Sequence, residues 1–443
     1  MGIPLAELTK IVGEGNVIQD PDRLSGYFLT KGLRLSDLVA VSPSDTEEVQ
    51  RVVKLCYPSR VALFSTYDTH FSAEIASRTG VLVDFRRMDR IERIDSKNLC
   101  VHIQRGVTFE QLDKALEPEG LTVLYPAASA TRSVVCHAVS RGMFLAAAKY
   151  PEVQVTNMQV VLQDGAIHRT GSHANSEEMA DWKEDGGPNL SKWYLGGDDI
   201  FGIVVRGSIW VYPRFQGRRF GAVGFGEQQR ALKLLKELPR KELPQECLVM
   251  NRPAMARALA VSGEGLPLWA LVTGVEGFPE LADYQHRKIE EAVAREGGIP
   301  LGAAVVAGME KHLRRPGYLP MDRSTTAFHC LFGRVAEFDA VLGSSCGQAG
   351  LSEESVGKTY IAHGLGRSVW CRYDLPPTSN GSSFAEGLES KLASAGAFFD
   401  RPQGQLAEQI YGTIPAYVRH VRKIKDLMDD RRILNPGKPV KEI

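Results

Sequence analysis

Short apolar runs separated by turn residues and single helices set the first limit on what this chain can form. Residues 60–65 (RVALFS), 80–85 (GVLVDF), 99–104 (LCVHIQ) and 121–126 (LTVLYP) are too short for core helices and rich in Val, Leu and Ile, so they read as strands. Helical segments lie between them. Residues 44–56 offer Ser44 or Asp45 as a cap, Glu47 and Glu48 in the first turn, and Val49, Val52 and Val53 on one face. Residues 4–12 and 108–120 read as helices too. Residues 153–171 read as a hairpin turning at Asp164 and Gly165, and the polar stretch 172–189 reads as a loop. Residues 193–213 return to short strands that stop at Pro213. This mixture describes an α+β first domain, residues 1–213.

A second unit begins at Arg214. Residues 218–226 and 268–277 read as strands, and residues 227–238 and 280–298 repeat their apolar positions with helical period. A cap or substrate domain with an antiparallel sheet flanked by helices is expected over 214–400. The last segment, 401–443, contains a helix ending before a Pro-Gly turn and is expected to return to the first domain.

Composition narrows function by exclusion. Lys+Arg and Asp+Glu both number 53, so no basic surplus invites nucleic acid or an anionic membrane surface. The opening residues carry Glu7 and no long apolar run, unlike a secretory signal, and Ala6 stands where a myristoylation pattern wants Ser or Thr. No apolar stretch is long enough to span a bilayer. The seven cysteines are scattered and never in C-x-x-C spacing, which points to buried thiols in a reducing cytoplasm and to no metal framework.

The order of these pieces resembles the FAD-linked oxidases of the vanillyl-alcohol oxidase superfamily, which carry the p-cresol methylhydroxylase (PCMH)-type FAD-binding domain. The glycolate oxidase and D-lactate dehydrogenase branch is the most similar. The resemblance rests on VSPSDTEEVQRVVKLC, GVLVDFRRMDRIERID, RGVTFEQLDKAL, GLTVLYPAAS, VVLQDGAIHRTG, YLGGDDIFGIVVRGSIWVYP and IKDLMDDRRILNPGK, in the family's order and spanning nearly the whole chain.

The resemblance implies FAD as cofactor, held at Ser65, Thr66, Tyr67, Asp68 and Thr69, with Pro126, Ser133, Gly196, Gly202, Ile203 and Lys438. In the family the first of these segments is a Pro-x-Gly-Gly-Gly-Thr-Gly loop, whose bare backbone lets N–H groups approach the diphosphate. Here the loop has no glycine, Asp68 brings a carboxylate, Val135 and Cys136 stand where a Gly-Gly pair is usual, and Asp199 replaces a glycine of a third element.

The chemistry implied is hydride transfer from a small hydroxyacid or alcohol to flavin, with electrons passing to a partner protein or a quinone. His363 corresponds to the first histidine of a His-x-Gly-x-Gly-x-x-His segment, with no second histidine in place. In Arg401-Pro402-Gln403-Gly404, Arg401 is either a clamp for a substrate carboxylate or a domain-interface ion pair, and Tyr411 would face the flavin ring. Gln403 falls where the family's base histidine sits and cannot take up a proton at neutral pH. The other reading is a catalytically silent, flavin-poor subunit acting beside an active homologue. Gly343–Gly347 (GSSCG) matches the nucleophile-elbow pattern at Ser345, but its surroundings read as helix, and a dinucleotide-binding G-x-G-x-x-G is absent.

Overall fold

The computed structural model describes residues 2–28, 32–35, 37–66, 70–71, 73–150, 154–175, 188–313, 324–376 and 381–439. The fold is α+β. A first sheet has the strand order Val17–Ile18, Leu38–Val41, Gly80–Val83, Ala62–Phe64; the last three run parallel. Strands Leu38–Val41 and Gly80–Val83 are buried at every position, as a sheet covered on both faces requires. Helix Thr46–Ser59 starts at Asp45, whose carboxylate accepts from the Glu48 N–H at 2.9 Å. It buries Val49, Val52, Val53 and Cys56 against the sheet.

A second, antiparallel sheet has the order Ile91–Asp95, Cys100–Gln104, Ile203–Trp210, Val155–Val161, Ile167–Arg169. One face packs on helices Phe109–Leu116 and Val134–Val139 through Val101, Ile103, Met158, Val160, Leu112 and Val135. The expected hairpin turn contains Gly165 at φ +79°, a backbone state that glycine adopts without strain.

Residues 214–400 contribute a seven-stranded antiparallel sheet, in the order Ile299–Pro300, Gly217–Phe225, Trp269–Gly277, Glu246–Asn251, Gly357–His363, Ser368–Asp374, Thr325–Cys330. Helices Gln228–Arg240 and Pro279–Arg295 cover one face. On the other, Leu248, Met250 and Ile361 meet Ala127, Met143, Leu145 and Ala147 of the first domain. The turn after Gly357–His363 is fastened there, because Gly364 and Leu365 donate their N–H groups to Ala147 O and Ala148 O at 3.0 and 2.9 Å. Ser345 is buried within helix Val335–Gln348, so no strand–turn–helix elbow exists around it.

The C-terminal segment comes back to the first sheet. Helix Pro415–Met428 packs beside the second sheet, and the Leu63 N–H donates to Ile433 O at 2.7 Å. Lys425, fully buried, donates to Ile200 O, Leu434 O and Asp429 Oδ2 at 2.7, 2.6 and 2.6 Å. Burial pulls its pKa down, and the Asp429 carboxylate opposes that pull.

Lys425→Met leaves Asp429 buried without its cation, a defect of about 3–5 kcal/mol. Urea unfolding is expected to show a loss of that size. A second check concerns Glu389, which burial pushes up to about 7. Between its ordinary value of about 4.3 and this raised one, the folded chain holds a proton that the unfolded chain has released. Stability therefore falls as pH rises through that window. Thermal unfolding of Glu389→Gln should show a gain above neutral pH and none well below the ordinary carboxylate range.

Candidate functional site

Strand Ala62–Phe64 ends at Ser65, where the chain enters the loop the sequence singles out. Ser65 is buried and both of its donors are engaged. Its N–H donates to Asn435 Oδ1 at 2.9 Å, and its hydroxyl donates to Asp199 Oδ2 at 2.5 Å. Arg105, in the turn after Cys100–Gln104, is 1% exposed. Its Nη1 donates to the same Asp199 oxygen at 2.6 Å and to Val204 O at 2.9 Å, while Nη2 donates to Thr66 O at 3.0 Å. The guanidinium lies 3.9 Å from the centre of the Phe85 ring. The Val204 N–H donates to the second Asp199 oxygen at 3.1 Å, and Asn435 Nδ2 donates to Ser65 Oγ and Asp198 O at 3.1 and 2.5 Å. One carboxylate thus gathers a hydroxyl, a guanidinium and a backbone amide.

This arrangement is held in unusual backbone. Asp198, Asp199 and Asn435 have φ of +49°, +58° and +42°, the left-handed region that favours glycine. Asp and Asn are the non-glycine residues that tolerate it best, because short polar side chains find local partners there.

The other expected cofactor residues are scattered along the same seam. Tyr67, Asp68 and Thr69 lie outside the described residues. Thr66 donates its hydroxyl to His70 O at 3.4 Å. Pro126 bridges Phe144. Ser133 caps helix Val134–Val139, accepting from the Cys136 N–H at 3.0 Å and donating to Arg105 O, so its hydroxyl serves the fold. Gly196 has φ +73° and donates its N–H to Val139 O at 2.8 Å. Gly202 has φ +155° with Val160 and Tyr194 close by, and Ile203 begins the strand beside it. Lys438 sits in the final turn, its N–H donating to Asn435 O at 3.2 Å.

The expected catalytic residues fall into two groups joined by a single peptide unit. Arg401 donates to Asp198 Oδ1 at 2.9 Å, the ion-pair alternative of the two. Tyr411 stacks on Tyr417 with 5.9 Å between ring centres; burial, Tyr417 and Asp198 together push its pKa up to about 12. Asp400, the neighbour of Arg401, faces the other way and lies 2.8 Å from His329 Nε2. The His329 ring stands edge-on to His363, 5.5 Å between centres, and His363 Nδ1 is 3.2 Å from Ser368 Oγ. Sequence reasoning missed Arg105, His329, Asp400 and the part played by Asn435. Arg105 lies within a quoted motif, whereas His329 and Asp400 reach each other only through the pairing of residues 329 and 398. Among the described residues no His, Cys, Asp and Glu cluster could hold a metal ion.

Removing the Arg105 charge by Arg105→Met should cost about 3–5 kcal/mol, because Asp199 is left buried without its counter-ion. Asn435→Ala strands no charge and should cost less, about 1–3 kcal/mol in total. Denaturant unfolding of the two variants tests that ranking.

Comparison with known proteins gives the site its context. Residues 38–171 match the FAD binding domain family. The chain is 24% identical over 434 residues to D-lactate dehydrogenase of Archaeoglobus fulgidus, covering 92% of each. It is 26% identical over 219 residues to the 4-cresol dehydrogenase [hydroxylating] flavoprotein subunit of Pseudomonas putida, which is 46% of this chain and 41% of that one. The fold superposes on p-cresol methylhydroxylase with substrate bound at a TM-score of 0.81 and 18% identity, covering 98% of this chain and 95% of that one. FAD is the cofactor of this domain type. The described cradle nevertheless does not fit a diphosphate as it stands. The Ser65 hydroxyl, the Val204 N–H and one nitrogen of the Arg105 guanidinium are turned to Asp199. The buried side chains of Val135 and Cys136 take the place of the Gly-Gly pair. Domain match and fold agree on an FAD binding domain over residues 38–171 within a fold like that of p-cresol methylhydroxylase, and the segment after strand Ala62–Phe64 has no glycine before Gly80.

Proposed function

We propose that this member of the FAD-dependent oxidoreductase family handles a small hydroxyacid or alcohol at the seam between its domains, the substrate class whose oxidation, by hydride loss to flavin, the family carries out. The observation that carries this reading is the polar group His329, Asp400, His363 and Ser368 at the edge of the cap sheet. Asp400 Oδ2 lies 2.8 Å from His329 Nε2, and a neutral ring donating from Nε2 keeps its lone pair on Nδ1. A histidine so oriented can take the hydroxyl proton of a bound substrate, a role that Gln403 cannot fill. His363, held by Ser368, supplies a second ring for substrate oxygens. Arg401 positions the segment through Asp198 and leaves its neighbour Asp400 facing the cap. Domain limits at 213 and 400 belong to this reading, and the seven cysteines, all buried and free, suit a reducing cytoplasm. Among the described residues no helix is long and apolar enough to cross a membrane.

A second reading is favoured by the Asp199 network alone. The chain then acts as a flavin-poor subunit beside an active homologue, as expected of a cradle already filled. Anaerobic mixing of FAD-saturated protein with glycolate, D-lactate and a benzylic alcohol separates the two. Bleaching of the flavin by one of them, lost in His329→Ala and weakened in Asp400→Asn, is the expected result. No bleaching with any of them, together with co-purification of a glycine-rich homologue, overturns the enzyme reading.

A further inference from the structure

We propose that the Asp199 carboxylate is a built-in occupant of the diphosphate cradle, an internal anion that keeps the apoprotein folded and makes FAD binding conditional on its displacement. The inference rests on the FAD binding domain match and on this network, and is independent of the substrate reading.

Three observations converge on it. Asp199 lies in the third element of the resemblance and reaches across to the first loop, so its carboxylate stands against the segment where the resemblance places the diphosphate. Its partners are the donors an anion would use there: the Ser65 hydroxyl, the Arg105 guanidinium and the Val204 amide. All three point at a side chain that is 3% exposed and held at φ +58°. A left-handed aspartate in a position where the family has glycine persists only where its surroundings demand it.

The consequence is competitive. A carboxylate fixed in the chain presents itself to Arg105 at an effective concentration that dilute FAD does not match. It also repels an incoming diphosphate as long as it stays in place. Its removal frees Ser65 and Arg105 for an external anion and relieves the left-handed strain if glycine replaces it. The same removal leaves the Arg105 charge buried without an anion, so the variant apoprotein becomes the less stable form until a ligand returns one.

The test uses the purified full chain, with FAD and inorganic pyrophosphate as probes in equilibrium binding and thermal unfolding. Wild type is expected to purify with less than one flavin per chain and to show no rise in unfolding temperature with pyrophosphate. Asp199→Gly is expected to unfold at a lower temperature, to regain stability with pyrophosphate or FAD, and to bind FAD about tenfold or more tighter than wild type, which is about 1.4 kcal/mol. Asp199→Asn keeps the side-chain shape and removes the charge, so it reads the electrostatic part if the glycine variant does not fold. Wild type carrying one flavin per chain through gel filtration overturns the proposal. So does a folded Asp199→Asn that binds FAD no better than wild type and gains nothing from pyrophosphate. Both outcomes are read without substrate.

Discussion

The buried pair of Arg105 and Asp199 is the interaction on which the first domain turns. It joins four pieces of chain far apart in sequence: the loop at Ser65 and Thr66, the turn at Arg105, the segment from Asp198 to Val204, and the C-terminal turn at Asn435. A buried ion pair is weak evidence for stability as such, since desolvating two charges offsets most of their attraction. Its effect is to specify geometry. Once the guanidinium is buried, the Asp199 carboxylate and the carbonyl groups of Val204 and Thr66 have to meet it at fixed positions, and the segments that carry them are registered against each other by that requirement.

The same logic extends to the C-terminal segment. Lys425 is buried among two carbonyl oxygens and Asp429, and Asn435 closes the Ser65 loop from the opposite side. The C-terminal chain thus completes the first sheet while its approach, through Asp400 and Arg401, touches the cap with one residue and the first domain with the next. A single peptide unit therefore couples the polar group at the cap edge to the strained loop that holds Asp199. Asp198 lies on that connection, shared by Arg401 and Asn435.

Much of the fold was legible in the residues. The alternation of short runs and helices named the α+β class, Asp45 capped its helix, and Gly165 marked its hairpin because those are local effects of dihedral preference and capping. The loop at Ser65 was recognised by what it lacks. The partners of that loop were not legible, because hydrogen bonds between residues 65, 105, 199 and 435 depend on strand order and chain return, which no local pattern encodes. His329 and Asp400 were missed for the same reason: each is an ordinary residue until the bridge between 329 and 398 sets the two side by side.

The sequence by itself determined the succession of elements and the absence of the glycines that would let a diphosphate approach bare backbone. Those are properties of steric allowance and periodicity, written one residue or one turn at a time. Only the tertiary structure decided what stands in that place. Burial removes water as an alternative partner, so Arg105 had to be answered by a carboxylate from a distant segment, and the fold brings Asp199 to it.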